Sequence, residues 1–180
     1  VKISGMDPRW YLLLAALAAP SLRTRAPDIP FEKRMLDWGA NETCAVADLN
    51  GDGRPDIISG ENWFEAPDWR KHRFREILFT NNYVDDFSDL VLDVNGDGRP
   101  DVVSCAWFER RIAWWENPGP AGGTWKDHTI DAGFPVEFCF LVDLDNDGKA
   151  RELLPQFGNP KAPLAWSELR NVSFLQHVAH

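Results

Sequence analysis

The chain has 180 residues, 44% of them hydrophobic and nine of them Trp, so it carries enough apolar surface to form a folded core. Its formal net charge of −9 argues against nucleic acid as a partner, because proteins that bind DNA or RNA present basic surfaces. Three Cys are an odd number, so a complete disulfide framework is excluded within one chain. The length predicts one domain, or a part of a larger one.

The first 19 residues predict a signal peptide. A short segment ending in Arg9 precedes an apolar run over residues 10–19, and Ala16-Leu17-Ala18 has the small-x-small pattern of a cleavage site. The run is too short to span a bilayer comfortably, so we expect no stable membrane span in the mature chain. Translation could start at Val1 or at Met6, and a buried helix or a retained anchor are the alternatives. Residues 20–30 are predicted to be a linker, and the mature chain is predicted to be secreted, periplasmic or at the cell surface.

A loop motif then occurs three times, and its copies begin at Asp48, Asp93 and Asp143. Oxygen-bearing side chains stand at positions 1, 3 and 5, with glycine at position 6, and this pattern allows a short loop to wrap a hard cation. These side chains, with an Asp at position 9 of the first two copies, are Asp48, Asn50, Asp52, Asp56, Asp93, Asn95, Asp97, Asp101, Asp143, Asp145 and Asp147. In the third copy position 9 is Arg151, and the acid comes one residue later, at Glu152.

The repeat extends beyond the loops, with a spacing of roughly 50 residues between loop starts. Each loop is followed by a Trp-x-Glu element and then by an aromatic residue three positions before a His. The first unit predicts an inner strand over residues 43–47, the loop, a second strand over 56–59, a strand bearing Trp63 and an outer strand ending at His72. We therefore predict an all-β fold over residues 31–180, made of about three four-stranded β-propeller blades. Closed propellers use four to eight blades, so a larger ring is expected, for example a seven-bladed one.

The loop is not an EF-hand, because position 12 lacks the bidentate Glu and a Pro-Asp strand follows in the first two copies. The pattern D-x-[DN]-x-D-G-x-x-D leading into a strand resembles the FG-GAP/VCBS repeats, which build β-propellers such as the head of integrin α-subunits. The resemblance covers residues 41–180 and implies structural Ca²⁺ bound by the acidic and Asn side chains of the three loops. It adds the position-7 carbonyls of Arg54, Arg99 and Lys149 as ligands. Because Glu152 replaces the Asp at position 9, the third site is expected to be the weakest.

Several other residues are candidates for functional or structural roles. His72, His128 and His177 occupy equivalent positions, so each is predicted to hydrogen-bond within its own blade. Trp63, Trp115 and Trp166 are predicted to lie in the core, whereas Trp107 and Trp114 break the repeat and are candidates for exposure. Cys44, Cys105 and Cys139 are expected to be small buried residues, and a Cys44–Cys139 bridge is left open. Asp85, Asp86 and Asp89 are interpreted as a solvated turn, or as the mouth of a propeller channel.

These features predict an exported calcium-binding repeat protein that acts as a scaffold or recognition module for an extracellular protein or carbohydrate. A binding role is favoured over an enzymatic one, because no Ser-His-Asp order, phosphate loop or zinc spacing occurs. The alternative is the propeller part of a secreted carbohydrate lyase. Residues 114–118 together with the loops are similar to propellers in lyases of the aldos-2-ulose dehydratase kind.

Overall fold

The computed structural model describes residues 28–162, 164–171 and 173–178. The predicted signal peptide lies outside these residues, and only residues 28–30 of the predicted linker fall within them. Residues 28–34 belong to a first unit, Val1–Arg34, and have no regular secondary structure. A second compact unit, Met35–His180, carries every described strand.

All regular structure in the described residues is β-strand, as predicted. The strands are β1 (Ala45–Ala47), β2 (Asp56–Ser59), β3 (Asn62–Glu65), β4 (Arg70–Arg73), β5 (Phe79–Thr80), β6 (Tyr83–Val84), β7 (Asp89–Leu92), β8 (Asp101–Ala106), β9 (Arg111–Glu116), β10 (Lys126–Ala132), β11 (Val136–Val142), β12 (Glu152–Phe157), β13 (Ala165–Arg170) and β14 (Ser173–Val178). No helix long and apolar enough to cross a membrane is found in the part of the chain that is described.

The strands form three four-stranded antiparallel sheets, each with its strands in chain order. We call them blade 1 (β1–β4), blade 2 (β7–β10) and blade 3 (β11–β14). A hairpin of β5 and β6 lies between blades 1 and 2 in the chain. The prediction of about three propeller-like blades is therefore confirmed, and the second strand of blade 1 has the predicted bounds. A closed ring is not seen in the described residues, and ring closure stays a prediction.

Two apolar clusters lie where neighbouring blades meet. The smaller one, between blades 1 and 2, has four buried members: Leu49, Ile58, Phe74 and Val102. The larger one, between blades 2 and 3, has eight: Val94, Val103, Cys105, Ile112, Val136, Cys139, Leu153 and Leu169. Strand β8 is buried along its whole length, because its alternate side chains face a blade on each side.

A Trp–His–Glu group repeats in the outer two strands of every blade. Trp63 lies opposite His72 in the strand register and stacks on it with ring centroids 4.2 Å apart, and Glu65 Oε2 lies 2.7 Å from His72 Nε2. The corresponding stacks are Trp114 on His128 at 4.3 Å and Trp166 on His177 at 5.2 Å. Glu116 and Glu168 lie 3.0 and 3.3 Å from their His partners. The predicted hydrogen bond within the blade is found for His72 and His128, whereas His177 lies near Glu168 but its Nε2 has no hydrogen-bond partner among the described residues.

The register corrects one assignment of the Trp residues. Trp114, and not Trp115, occupies the repeat position, because Trp114 pairs with His128 whereas Trp115 pairs with Asp127. The predicted difference in burial is not found, because the two candidates for exposure and the three residues predicted to lie in the core are all half-buried. They are Trp107 and Trp114, and Trp63, Trp115 and Trp166. The ring of Trp107 packs directly against Gly158, where a Cβ atom would lie only 1.9 Å from it. Cys44 is exposed rather than buried, so it also departs from the expectation.

Candidate metal centres

Each repeated loop joins the first and second strands of its blade, and all three loops share one backbone conformation. Positions 4 and 6 have positive φ angles in every copy, which glycine adopts freely and Asn tolerates better than other residues. The angles are 77° and 82° at Gly51 and Gly53, 76° and 84° at Gly96 and Gly98, and 59° and 85° at Asn146 and Gly148. The third loop therefore makes the same turn although Asn replaces one glycine.

The first carboxylate of each loop organises the turn. Asp48 accepts hydrogen bonds from the backbone N–H groups of Gly51, Asp52 and Gly53 at 2.8–3.0 Å. In the second loop Asp93 accepts the equivalent three bonds at 2.8–3.1 Å. Asp143 accepts two of them, from Asp147 and Gly148, at 3.1 and 2.9 Å. These bonds hold the carboxylate at the centre of the loop.

Positions 3 and 5 also repeat their contacts. The position-3 oxygen of Asn50, Asn95 or Asp145 accepts the N–H of position 5 at 3.1 Å in each loop. The position-5 carboxylate accepts the N–H of position 7 at 2.8–2.9 Å, and so orients the residue whose carbonyl is the predicted ligand. The other oxygen of this carboxylate lies near a basic side chain: Arg54 at 4.0 Å in the first loop, Arg99 in the second and Arg151 in the third.

A buried acid closes each loop from the second strand. Asp56, Asp101 and Glu152 are 0%, 0% and 3% exposed, and each accepts the N–H of loop position 2 at 2.8–3.0 Å. Their registers are equivalent, since they pair with Ala47, Leu92 and Val142, the residues that precede the loops. Glu152 is thus the structural counterpart of the two Asp residues. The third loop is one residue longer than the other two. The Glu152 side chain is one methylene longer than Asp, and it reaches the equivalent backbone N–H of loop position 2.

Burial is the main cause of the raised pKa values of the closing Asp residues in the first two loops. It raises the pKa of Asp56, against the lowering effect of the Ala66 and Leu49 amides, and Asp52 and Asp48 raise it further. Burial likewise raises the pKa of Asp101, and Asp97 adds to the effect. Clustered carboxylates that are partly desolvated favour a bound cation, because a cation stabilises their ionised forms.

The third loop brings carboxylates closest together. Asp143, Asp145 and Glu152 each offer one oxygen, and the three oxygens lie within 4.8 Å of one another. Among the described residues this is the one group of three acidic, His or Cys side chains with such geometry. Three oxygens at this spacing suit a hard cation such as Ca²⁺ or Mg²⁺. The cluster therefore could hold a metal, and it lies in the loop that was predicted to be the weakest of the three.

The acidic segment before the second loop has a different role from the one predicted. Asp85, Asp86 and Asp89 are buried, so the solvated turn is wrong. Asp85 accepts the backbone N–H groups of Trp107, Phe108 and Glu109 at 2.6–3.0 Å. It therefore holds the turn between β8 and β9 and contributes to the structure of blade 2.

Asp86 and Asp89 share one buried cation that the sequence did not indicate. Arg75 Nη2 lies 2.9 Å from Asp86 Oδ2 and 2.6 Å from Asp89 Oδ1, and its Nε donates to the Gly60 carbonyl at 2.8 Å. Arg75 stands in the chain between blades 1 and 2 and matches no repeat position. Its partners come from the following blade, so no local pattern could have revealed the group.

A groove lies beside the first loop. Its volume is about 490 Å³, and one wall carries Asn50 and Asp52 of the loop with Trp63 and Arg70. The Pro- and Gly-rich turn of blade 2, which includes Pro118, Gly119 and Pro120, forms the opposite wall together with Trp125. The groove thus combines aromatic rings, polar side chains and part of a candidate metal loop.

One comparison with known proteins finds a match that covers the second loop and most of the third. Residues 93–150 match the family model of the FG-GAP-like repeat. The matched segment runs from Asp93, the first position of the second loop, to Ala150 in the third loop. No curated protein and no solved structure matches the chain. The geometry of the blades and the match together support the FG-GAP family for this repeat segment.

Proposed function

We propose that the chain is a calcium-binding propeller-type module that recognises an extracellular protein or carbohydrate. The observation that carries the proposal is the convergence of the Asp143, Asp145 and Glu152 oxygens within 4.8 Å. The same loop conformation and hydrogen bonds recur in the other two loops, so the same ion is proposed there. Calcium prefers six to eight oxygen ligands, and the loops supply carboxylate, amide and carbonyl oxygens.

In this proposal positions 1, 3, 5 and 9 of the first two loops bind through side chains. These residues are Asp48, Asn50, Asp52 and Asp56, then Asp93, Asn95, Asp97 and Asp101. In the third loop Asp143, Asp145 and Asp147 take these roles, and Glu152 replaces the Asp at position 9. The carbonyls of Arg54, Arg99 and Lys149 complete the sets.

The proposed role of calcium is structural. Each loop holds four acidic or amide side chains between the first two strands of a blade, and the ionised carboxylates among them repel one another without a cation. A bound ion offsets that repulsion and ties the loop to the buried acid of the second strand. Loops of this kind in extracellular modules have Kd values of about 10⁻⁴–10⁻³ M. Export, which the N-terminal sequence predicts, would therefore place the chain where calcium is abundant.

The groove beside the first loop is the proposed recognition surface. Its Trp63 and Trp125 rings and its Asn50, Asp52 and Arg70 side chains offer apolar faces next to hydrogen-bonding groups. Such a mixture suits sugars or peptide side chains. Because Asn50 and Asp52 are also proposed metal ligands, calcium would fix one wall of the groove.

Calcium titration tests the metal proposal. We expect isothermal calorimetry to show binding, and saturating calcium to raise the melting temperature by about 5–10 °C, because a ligand at 100 times its Kd stabilises by about 2.7 kcal/mol. Asp143→Ala should remove one site, because Asp143 is the central carboxylate of the third loop, whereas Asp68→Ala, at an exposed position outside the loops, should remove none. A chain that gives no binding heat and melts identically after EDTA treatment would refute the proposal.

Comparison of loop variants tests the ranking of the sites. Asp52→Ala or Asp97→Ala should lower calcium-dependent stability more than Asp147→Ala. The reason is that the third loop departs from the motif at position 9, where Arg151 replaces the Asp of the other two loops. Scanning calorimetry with and without calcium measures each difference, and the reverse order would contradict the ranking.

A glycan array and a peptide library address recognition directly. We expect a calcium-dependent hit that weakens at least tenfold in Trp125→Ala. The exposed variant Phe108→Ala, outside the groove, is the matched control and should keep the binding. Binding that survives both EDTA and Trp125→Ala would place recognition elsewhere on the chain.

A further inference from the structure

Two of the three cysteines meet in the apolar cluster between blades 2 and 3. Cys105 lies in β8 and Cys139 in β11, and they are 1% and 2% exposed. Both belong to the same cluster of buried side chains. Cys44 is exposed and belongs to neither apolar cluster. The fold therefore does not favour the Cys44–Cys139 bridge that the sequence alone could not decide.

The backbones of the two cysteines are held by consecutive residues of one segment. The Phe87 N–H donates to the Cys105 carbonyl at 3.2 Å. The Cys139 N–H donates to Ser88 Oγ at 2.9 Å, and Ser88 Oγ also contacts the Cys139 carbonyl at 3.4 Å. Phe87 and Ser88 thus fix both strands at the level of the two thiols.

The two thiols, both free in this structure, are neighbours in the buried cluster. The Cys105 side chain hydrogen-bonds to the Cys139 thiol, and this contact, with burial next, raises the pKa of Cys139 far above its ordinary value. A buried thiol that resists ionisation is a poor nucleophile, because the thiolate is the reactive form. In the folded chain the two thiols therefore exchange only slowly with thiols and disulfides in solution.

We propose that Cys105 and Cys139 form a disulfide that joins β8 of blade 2 to β11 of blade 3. The two thiols lose two protons and two electrons as the S–S bond forms. A small-molecule disulfide such as oxidised glutathione accepts the electrons and leaves as two thiols, through a mixed disulfide. Exchange takes place while the chain folds, before blade 3 packs on blade 2 and buries both sulfur atoms. Cys44 stays a free thiol.

The bond would stabilise the chain chiefly by restricting its unfolded state, since it closes the loop from residue 105 to residue 139. For a chain of this size, a cross-link over such a loop should raise the melting temperature by about 10 °C. The effect would act at the larger apolar junction and would not depend on calcium.

The test compares chains refolded with oxidised glutathione and with a dithiol reductant, both in excess calcium. After oxidative refolding we expect one titratable thiol in denaturant rather than three, and a cross-linked peptide pair that contains Cys105 and Cys139. The oxidised chain should also melt about 10 °C higher. Three free thiols after oxidative refolding, or a cross-link through Cys44, would overturn the proposal.

Cysteine variants separate the disulfide from general effects of oxidation. Cys44→Ser should keep the full redox difference in melting temperature, whereas Cys139→Ser and Cys105→Ser should lose it. If the core variants do not fold, thiol counting and peptide mapping on Cys44→Ser still decide the question. Loss of the redox difference in Cys44→Ser would refute the Cys105–Cys139 bond.

Discussion

The two junctions between neighbouring blades are built from different interactions. Blades 2 and 3 meet through eight buried apolar residues. Blades 1 and 2 share a smaller cluster of four, beside a buried ionic group of Arg75, Asp86 and Asp89. The Arg75 guanidinium lies 5.0 Å from the centre of the Phe74 ring and 4.8 Å from that of Trp115. One repeat architecture therefore joins its units in two ways.

Because their interactions differ, the two junctions should respond differently to pH. Apolar burial is insensitive to pH, whereas a buried group of one cation and two carboxylates carries one negative charge in excess. Asp89 Oδ2 and Arg75 Nη1 have no hydrogen-bond partner among the residues that the structure describes, so the ionic group is incompletely satisfied there. A proton shared between the carboxylates would remove the excess charge. The stability of the first junction should therefore vary with pH and that of the second should not.

The largest expected effect comes from Arg75→Ala. Removing the cation leaves two buried carboxylates without a counter-charge, so we expect a loss of about 3–5 kcal/mol in the free energy of unfolding. Urea denaturation in excess calcium measures the loss. The matched control is Arg73→Ala, whose exposed ion pair with Glu61 should contribute less than about 1 kcal/mol. Equal losses in the two variants would mean that the ionic group does not hold the junction.

A somewhat smaller effect is expected at the apolar junction. Leu153 is fully buried there, so Leu153→Ala should cost about 3 kcal/mol through lost burial and the cavity left behind. Leu175→Ala, at an exposed position of the same blade, should cost less than about 0.5 kcal/mol. The Leu153→Ala loss, again from urea denaturation, should be the same at pH 5 and pH 8. A loss that changes with pH would contradict the apolar character of this junction.

The third expected effect, small for each pH unit, is a pH dependence confined to the first junction. Burial raises the pKa of Asp86 from about 3.8 to about 7, and the Asp89 charge adds to the shift against the lowering effects of Arg75 and Ser104. Because the native pKa lies above the unfolded one, the native state binds the proton more tightly. Its contribution to stability is full below pH 4 and is lost as the pH rises to about 7, with a slope of at most about 1.4 kcal/mol per pH unit.

Denaturation of wild type and Asp86→Asn between pH 4 and 8, in excess calcium, measures this slope. Asp86→Asn should be flatter than wild type over that range, because it cannot release the proton. Asp127→Asn, on the exposed outer strand of blade 2, is the control and should follow wild type. Parallel curves for wild type and Asp86→Asn would rule out Asp86 as the source of the dependence.

Much of the fold could be predicted from local patterns. Loop spacing, the Pro-Asp strand starts and the Trp-x-Glu elements predicted three four-stranded blades. The position of the second strand, Asp56–Ser59, was predicted correctly because the loop and strand are contiguous in the chain. The repeated His contacts were also predictable, since equivalent positions in a repeat have equivalent neighbours. The Trp114 assignment failed because the alternation of a strand, rather than the presence of Trp, decides which residue faces its partner.

In the candidate metal loops, too, some features could be predicted from the sequence and others depend on the tertiary structure. The ligand types follow from the sequence, since the spacing of Asp, Asn and Gly prescribes a turn with inward oxygens. The sequence already offered Glu152 in place of Asp56 and Asp101, and the pairing of β12 with β11 shows that the three acids occupy equivalent positions in the register. The close approach of Asp143, Asp145 and Glu152 depends on side-chain length and on the path of the third loop.

The sequence by itself determined the repeat, the β-strand content and the chemistry offered by each loop, because these depend on residues that are close in the chain. Only the tertiary structure decided how the blades join. Arg75 forms ion pairs with Asp86 and Asp89 at the start of the next blade. Cys105 packs in the same buried cluster as Cys139, and Cys44 does not belong to that cluster. Contacts of this kind depend on the packing of one sheet against another, and no local spacing specifies it.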